Sequence, residues 1–128
     1  MTTTEAINKL IDEMPGQDGP LGIRLDKQEK LARGLHKLAQ EEGDELRNWL
    51  QAKNNREQKV RFLTIKHLQA GEGVGKAETM AKNEAAELYE QEINMEAEYK
   101  SKHIFRIGLQ EYLKATQQTN SQLKAELR

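Results

Sequence analysis

Cysteine is absent from this sequence, proline occurs twice, and the aromatic residues are one tryptophan, two phenylalanines and three tyrosines. Without cysteine, a disulfide, a thiolate metal site and a cysteine nucleophile are all excluded. Both prolines, Pro15 and Pro20, lie near the N-terminus, so the chain after Leu21 is free to be helical. No stretch approaches the length of a membrane span, and the first residues lack a basic region followed by an apolar one. These absences predict a cytosolic protein that does not enter a membrane.

The composition that remains is strongly polar. Of the 128 residues, 32% are charged and 36% are hydrophobic, which suits exposed helices better than a thick globular core. A chain of this length is sufficient for one domain with a modest core. We therefore predict a single all-α domain, a helical hairpin with a long C-terminal helical segment. We expect it to oligomerise through helix packing, because each helix has little apolar surface of its own.

Charge is distributed in blocks, although the net charge is only −1. The successive blocks 1–46, 47–82, 83–98 and 99–128 carry net charges of −4, +5, −6 and +4. Such blocks can pair between helices or between subunits and still leave a basic face free.

Apolar periodicity predicts helices throughout the N-terminal part, residues 1–70. Thr4 is the predicted cap of a first amphipathic helix, which the sequence "PGQDGP" ends. Asp26, with Glu29 three residues later, predicts the cap of a second helix. Gly43 is expected to kink or interrupt that helix. The segment 51–59 has one alanine among polar residues, so it should face solvent or a polar ligand.

The stretch "QAGEGVGKAET", residues 69–79, resembles a phosphate-binding loop because three glycines precede a lysine. However, Ala70 occupies the position of the first glycine of a P-loop, and Ala77 replaces the hydroxyl that binds magnesium. The preceding segment is also helix-like rather than a buried strand. Residues 71–76 are therefore interpreted as a glycine turn between two helices.

The segment after this turn, residues 77–128, contains no proline and a single glycine, Gly108. A ladder that repeats every three or four residues predicts a long helix, bent near Gly108 or broken at "QQTNS", that packs against other copies of itself. The predicted oligomerisation residues are Leu88, Met95, Tyr99, Leu109, Leu113, Leu123 and Leu127. The ladder also contains polar residues that need partners at such an interface, namely Glu92, Lys102, Arg106, Thr116 and Asn120.

Residues suited to catalysis are few and scattered. His36, His67 and His103 are far apart, and none belongs to a zinc or di-iron motif. The glutamates of residues 84–98 are typical of a solvated or salt-bridged helix face, and the serines lie in helix-like segments without a nucleophile elbow. We therefore predict no enzyme, no metal site and no cofactor.

The basic stretch before and after the glycine turn is the strongest candidate site. The residues that could bind DNA phosphates are Lys53, Arg56, Lys59, Arg61, Lys66, His67 and Lys76. Lys59 and Arg61 diverge by about 200° around a helix, so one ligand contacts both only if the helix is irregular or the ligand wraps it. A flexible single strand can do so, and Phe62 could stack on a base. The alternative is that these charges solubilise the helix and pair with the acidic block after the turn.

The layout resembles that of the phage T4-type recombination mediator family UvsY. That family has a similar length, an N-terminal helical part, a basic helix with a K-x-R element, a glycine-containing turn and a long charged helical C-terminal segment. Lys59, Val60 and Arg61 match the K-x-R element, and Gly71, Gly73 and Gly75 match the turn. The match in order extends over nearly the whole chain.

The resemblance implies a ring-like homo-oligomer in the cytoplasm of an infected bacterial host. It would bind single-stranded DNA and help load a RecA-like recombinase onto DNA covered by single-strand binding protein. In that family the K-x-R pair is important for DNA binding, so Lys59 and Arg61 inherit this role. The alternatives are a helical adaptor or an inhibitor, for example of a host defence system, that binds only proteins, or a coiled-coil scaffold.

Overall fold

The computed structural model describes residues 1–127, which form α1 (Thr3–Asp12), α2 (Leu21–Gln69), α3 (Val74–Glu84) and α4 (Ala86–Glu126). These residues contain no strand. The prediction of an all-α fold, in which a long helix packs against others, is confirmed. Within the same residues no helix combines the length and the apolar character needed to cross a bilayer.

Helix α1 is capped by Thr2 rather than by the predicted Thr4, which lies inside the helix. The Glu5 N–H donates to Thr2 Oγ1 at 3.1 Å, and the Thr2 N–H donates to Glu5 Oε2 at 3.4 Å. This reciprocal capping box needs a glutamate three residues after the cap, and Glu5 stands at that distance only from Thr2.

Helix α2 begins at Leu21, so the predicted start at Asp26 is wrong. The Pro20 carbonyl accepts a hydrogen bond from the Arg24 N–H at 3.2 Å. Proline is well suited to a helix start, because its fixed φ suits the first turn and its missing N–H has no partner to lose there. The helix continues without interruption through Gly43 and through the polar segment 51–59.

The glycine turn begins with a Schellman motif at Gly71. The Glu72 N–H donates to the His67 carbonyl at 3.1 Å, and the Gly71 N–H donates to the Leu68 carbonyl at 3.0 Å. Gly71 has a φ of 97°, a conformation that strains any residue with a side chain. Gly73 then caps α3 with its extended backbone.

The C-terminal segment is two helices rather than one, and the break is not at a predicted position. Ala85, with φ −93° and ψ 11°, separates α3 from α4. Helix α4 continues unbroken through both Gly108 and "QQTNS". Nothing in the composition around Ala85 marks it as a helix end, because alanine is the best helix former.

The chain forms two compact units, and the first comprises Met1–Glu42 with residues 102–127. Its core is a cluster of large aliphatic side chains from α1, α2 and α4, namely Ile7, Leu31, Leu38, Leu109 and Leu113. The close approach of α1 to α2 depends on Gly34, since a Cβ there would lie 2.9 Å from Ile7 Cγ1.

Two polar clusters connect α2 to α4 within this first unit. Arg24 Nε donates to Asn120 Oδ1 at 2.8 Å, and Asn120 is almost completely buried. The buried Glu42 carboxylate accepts hydrogen bonds from Arg106 and lies 2.6 Å from His103 Nδ1. The Arg106 hydrogen bond, supported by His103 and opposed by desolvation, lowers the pKa of Glu42.

The second unit is Gly43–Ser101, in which the second part of α2 packs against α3 and the start of α4. Its buried apolar residues are mostly small: Ala52, Leu63, Ala77, Ala81 and Ala85. Alanines allow helix backbones to approach closely but bury little area. The Trp49 and Tyr99 rings stack with their centroids 5.5 Å apart and add aromatic contact to this thin core.

The ladder residues predicted to mediate oligomerisation are already packed to different extents within one chain. Leu109 and Leu113 lie in the core of the first unit, and Tyr99 stacks on Trp49 in the second. Leu88, Met95 and Leu123 are half-buried, whereas Leu127 is exposed. Partners of the polar ladder residues also lie in the same chain, as Glu92 with Arg56 and Arg106 with Glu42 show. Contact with other copies through these residues stays a prediction.

Candidate nucleic-acid interface

Four of the seven residues predicted to bind DNA are exposed cations on α2 in the second unit. They are Lys53, Lys59, Arg61 and Lys66. None of the four has an ion-pair partner within residues 1–127. The Lys59 ammonium lies 5.8 Å from the centroid of the Phe62 ring, and Phe62 itself is 62% exposed. These side chains are therefore accessible to an anionic ligand.

The other three predicted residues are occupied by carboxylates. Arg56 pairs with the buried Glu92, His67 Nε2 lies 2.6 Å from Glu84 Oε1, and Lys76 Nζ lies 3.2 Å from Glu72 Oε2. The hydrogen bonds that Arg56 donates to Glu92 raise the pKa of Arg56 above its ordinary value. The acidic block 83–98 thus supplies the partners of Arg56 and His67, and Glu72 of the turn supplies the partner of Lys76.

The K-x-R pair does not form one contact site on a single helix face. Helix α2 is a regular α-helix through this stretch, so residues two apart point about 200° away from each other. Lys59, Phe62 and Lys66 follow the spacing i, i+3, i+7 and share one side. Arg61 lies on the other side and lines a groove there.

This groove runs between α2, α3 and the start of α4 in the second unit. One end is an open cavity of about 450 Å³ whose lining includes Arg61, Thr64 and Ile65 and also the carboxylates of Glu57 and Glu78. The adjoining cavity, of about 380 Å³, is lined by Arg56, Val60, Lys82, Ala85, Ala86 and Tyr89. The groove therefore changes from mixed charge at one end to cationic and aromatic at the other.

Lys82 and Tyr89 were not among the site residues predicted from the sequence. Lys82 is exposed, and the part of the chain that the structure describes holds no carboxylate paired with it. Tyr89 is 53% exposed and lies under the Arg56 guanidinium, whose carbon is 5.6 Å from the ring centroid. The sequence feature that could have indicated Tyr89 is an isolated aromatic residue within an acidic block. It stands three residues before Glu92, the partner of Arg56.

Residues 1–127 contain no group of three histidine, aspartate or glutamate side chains that could hold a metal ion. The absence of catalysis and of a cofactor stays a prediction. In comparisons with known proteins, no family model, no curated protein and no solved structure matches this chain.

Proposed function

We propose that this chain binds single-stranded nucleic acid through the free cations of α2 in the second unit. The observation that carries the proposal is the set Lys53, Lys59, Arg61 and Lys66, which are all exposed and without a carboxylate partner in the described part of the chain. Lysine and arginine side chains that can reach phosphates supply affinity without sequence preference.

The positions of these cations favour a flexible strand over a stiff duplex. Lys59 and Arg61 point to opposite sides of α2, so one ligand contacts both only by bending around the helix or by passing between copies of the chain. The exposed Phe62 beside Lys59 offers a surface on which an unpaired base can stack.

The resemblance to the UvsY family supports the more specific function of a recombination mediator. In this proposal a ring-like homo-oligomer, working in the cytoplasm of an infected bacterial host, binds single-stranded DNA. It helps a RecA-like recombinase replace single-strand binding protein. Each subunit contributes a weak patch, and a strand that touches several subunits gains through effective concentration. Multiple copies therefore compensate for the small number of free cations per chain.

The test combines a charge reversal with a measurement of mass in solution. The variant Lys59→Glu/Arg61→Glu should lose binding of a fluorescent poly-thymidine oligonucleotide in dilute buffer while its mass by light scattering stays that of the parent. The matched control is Arg33→Glu/Lys37→Glu, because these exposed residues of α2 belong to the first unit and their reversal changes the net charge equally. Equal binding by parent and both variants would reject the proposed site.

A second measurement addresses the mediator role separately. Filament formation by a RecA-like recombinase on DNA precoated with single-strand binding protein should be faster with the parent than with Lys59→Glu/Arg61→Glu. If the parent binds DNA but does not change this rate, the chain is a DNA-binding protein without mediator activity. A monomeric parent at micromolar concentration would contradict the ring.

The exposed apolar residues of the second unit favour one other candidate function, a helical adaptor that binds proteins only. Leu50, Phe62, Ile65, Leu68, Val74, Tyr89 and Ile93 are all at least 40% exposed. Exposed apolar residues that form a contiguous patch are typical of a protein-binding site. If the folded parent does not bind poly-thymidine even in dilute buffer, the result would favour the adaptor over the DNA-binding protein.

A further inference from the structure

The groove of the second unit ends at the partly exposed aromatic ring of Tyr89, which packs against the Arg56 guanidinium. The Arg56 guanidinium carbon lies 5.6 Å from the Tyr89 ring centroid, and Tyr89 lines the 380 Å³ cavity with 53% of its surface exposed. About half of the Tyr89 surface is therefore accessible to a planar ligand beside this contact.

The guanidinium that packs against this ring is itself held in place by a pair of hydrogen bonds. Arg56 Nε donates to Glu92 Oε2 at 2.5 Å, and its terminal nitrogen donates to Glu92 Oε1 at 3.3 Å. Glu92 is buried at 7% exposure, and a two-pronged contact of this kind fixes the plane of the guanidinium. Tyr89 and Glu92 are three residues apart on α4, so both meet Arg56 from the same side of the helix.

The charges and the size of this end of the groove select the ligand class. The cavity at Tyr89 is lined by Arg56 and Lys82 and by the small or apolar side chains of Val60, Ala85 and Ala86, with no carboxylate among the lining residues. At the other end the carboxylates of Glu57 and Glu78 lie among the cations, so that end carries both signs of charge. A volume of about 380 Å³ is within the range of small-ligand sites.

From this arrangement we propose that Tyr89 is a stacking platform for one base of a single-stranded nucleic acid, with Lys82 at the adjacent phosphate. Arg56 is then a positioning residue, which packs against the ring and does not contact phosphate. This inference rests on the proposed binding of single strands. It adds to the free cations of α2 a second surface on which a base can stack, besides Phe62.

The experiment separates the base from the backbone by comparing two oligonucleotides. Fluorescence anisotropy is measured for poly-thymidine and for an abasic oligonucleotide of equal length, with the parent, Tyr89→Leu, Tyr89→Phe and Tyr89→Trp. Tyr89→Leu should weaken binding of poly-thymidine by about 5- to 100-fold and leave binding of the abasic strand unchanged. Tyr89→Phe retains the ring and should bind both as the parent does. Tyr89→Trp should bind poly-thymidine at least as tightly as the parent.

Several outcomes overturn the platform without affecting the broader function. They are equal binding of both oligonucleotides by the parent, unchanged poly-thymidine binding by Tyr89→Leu, and an equal loss of both by that variant while its helix content is intact. A parent that binds neither oligonucleotide refutes the binding of single strands itself. Because Tyr89 is half exposed, Tyr89→Leu should fold. A folded Tyr89→Trp variant that loses poly-thymidine binding would also contradict stacking.

Discussion

Arg56 and Arg61 lie on neighbouring turns of α2, but replacing each by alanine should change a different property. Arg56 pairs with a buried carboxylate, whereas Arg61 is exposed and has no ion-pair partner in the described residues. We expect Arg56→Ala to reduce stability without changing the salt dependence of DNA binding. We expect Arg61→Ala to reduce the salt dependence without changing stability.

The loss of stability follows from the environment of Glu92. Removing one partner of a fully buried ion pair costs about 3–5 kcal/mol. The Arg56 side chain is 24% exposed and that of Glu92 10%, so water compensates part of the loss and about 2 kcal/mol remains. Arg61→Ala removes no such contact and should change the free energy of unfolding by less than about 0.5 kcal/mol.

The change in salt dependence follows from counterion release. Each phosphate contact to a single strand contributes about 0.7 to the slope of log affinity against log salt concentration. Arg61→Ala should lower this slope by about 0.7 for each engaged subunit. Between roughly 50 and 200 mM salt, the variant should then lose about 2.6-fold less affinity than the parent loses. Arg56→Ala should weaken binding of poly-thymidine because the Tyr89 ring loses its support, but the slope should stay that of the parent.

Two assays are sufficient, urea unfolding followed by circular dichroism and anisotropy titrations at several salt concentrations. Arg56→Ala should lower the urea midpoint by about 1 M, since m-values of small proteins are about 1–3 kcal/mol per molar urea. Arg56→Lys is the matched control, because it keeps the charge and loses the two-pronged contact. If Arg56→Ala lowers the slope as much as Arg61→Ala and leaves the midpoint unchanged, Arg56 contacts phosphate and the assignment is wrong.

Two further expectations concern Glu42 and Gly34 of the first unit, with Gly43 of the second unit as the control for Gly34. The pKa of Glu42 is lowered, chiefly by the Arg106 hydrogen bond, so its stabilising effect is present above the ordinary value of 4.5 and is lost as pH falls through the lowered value. Urea titrations should show Glu42→Gln less stable than the parent by about 2 kcal/mol at neutral pH, and a difference that does not shrink in acid would contradict this cause. Gly34→Ala should lower the melting temperature because its Cβ would lie 2.9 Å from Ile7 Cγ1, at a cost of about 1–3 kcal/mol. Gly43→Ala, with nothing within 4 Å, should stabilise the helix by about 0.5–1 kcal/mol, and equal melting shifts would refute the packing argument.

The fold class was predictable from the sequence because periodicity and the lack of proline are local signals. The helix ends were less predictable, and α2 illustrates the reason. Asp26 and Glu29 have the spacing of a capping box, but Pro20 starts the helix earlier and places both inside it. The break at Ala85 carries no local signal, since the residue is buried between α3 and α4 and the packing of the second unit decides its conformation.

The candidate site was only partly predictable, because a sequence lists cations without their partners. The charge blocks indicated that some basic residues would pair with the acidic segment, but not which ones. Periodicity identifies which residues of one helix share a side, as for Lys59 and Lys66. It does not give the register between two helices. That register pairs Arg56 with Glu92 and leaves Lys66 exposed, and it depends on close packing of alanines. Tyr89 could be recognised only once its position over Arg56 was known.

The pairing that stabilises the second unit also limits how strongly one chain can bind a strand. Carboxylates contact Arg56, His67 and Lys76, and the other four residues of the predicted site are divided between opposite sides of α2. One side of a single chain therefore offers about two phosphate contacts, which would give a shallow slope of about 1.4 in a salt titration. A measured slope several times steeper would mean that one strand touches the corresponding sides of several copies. Because Lys59 and Arg61 point apart, a strand passing between adjacent copies could contact the lysine of one and the arginine of the next.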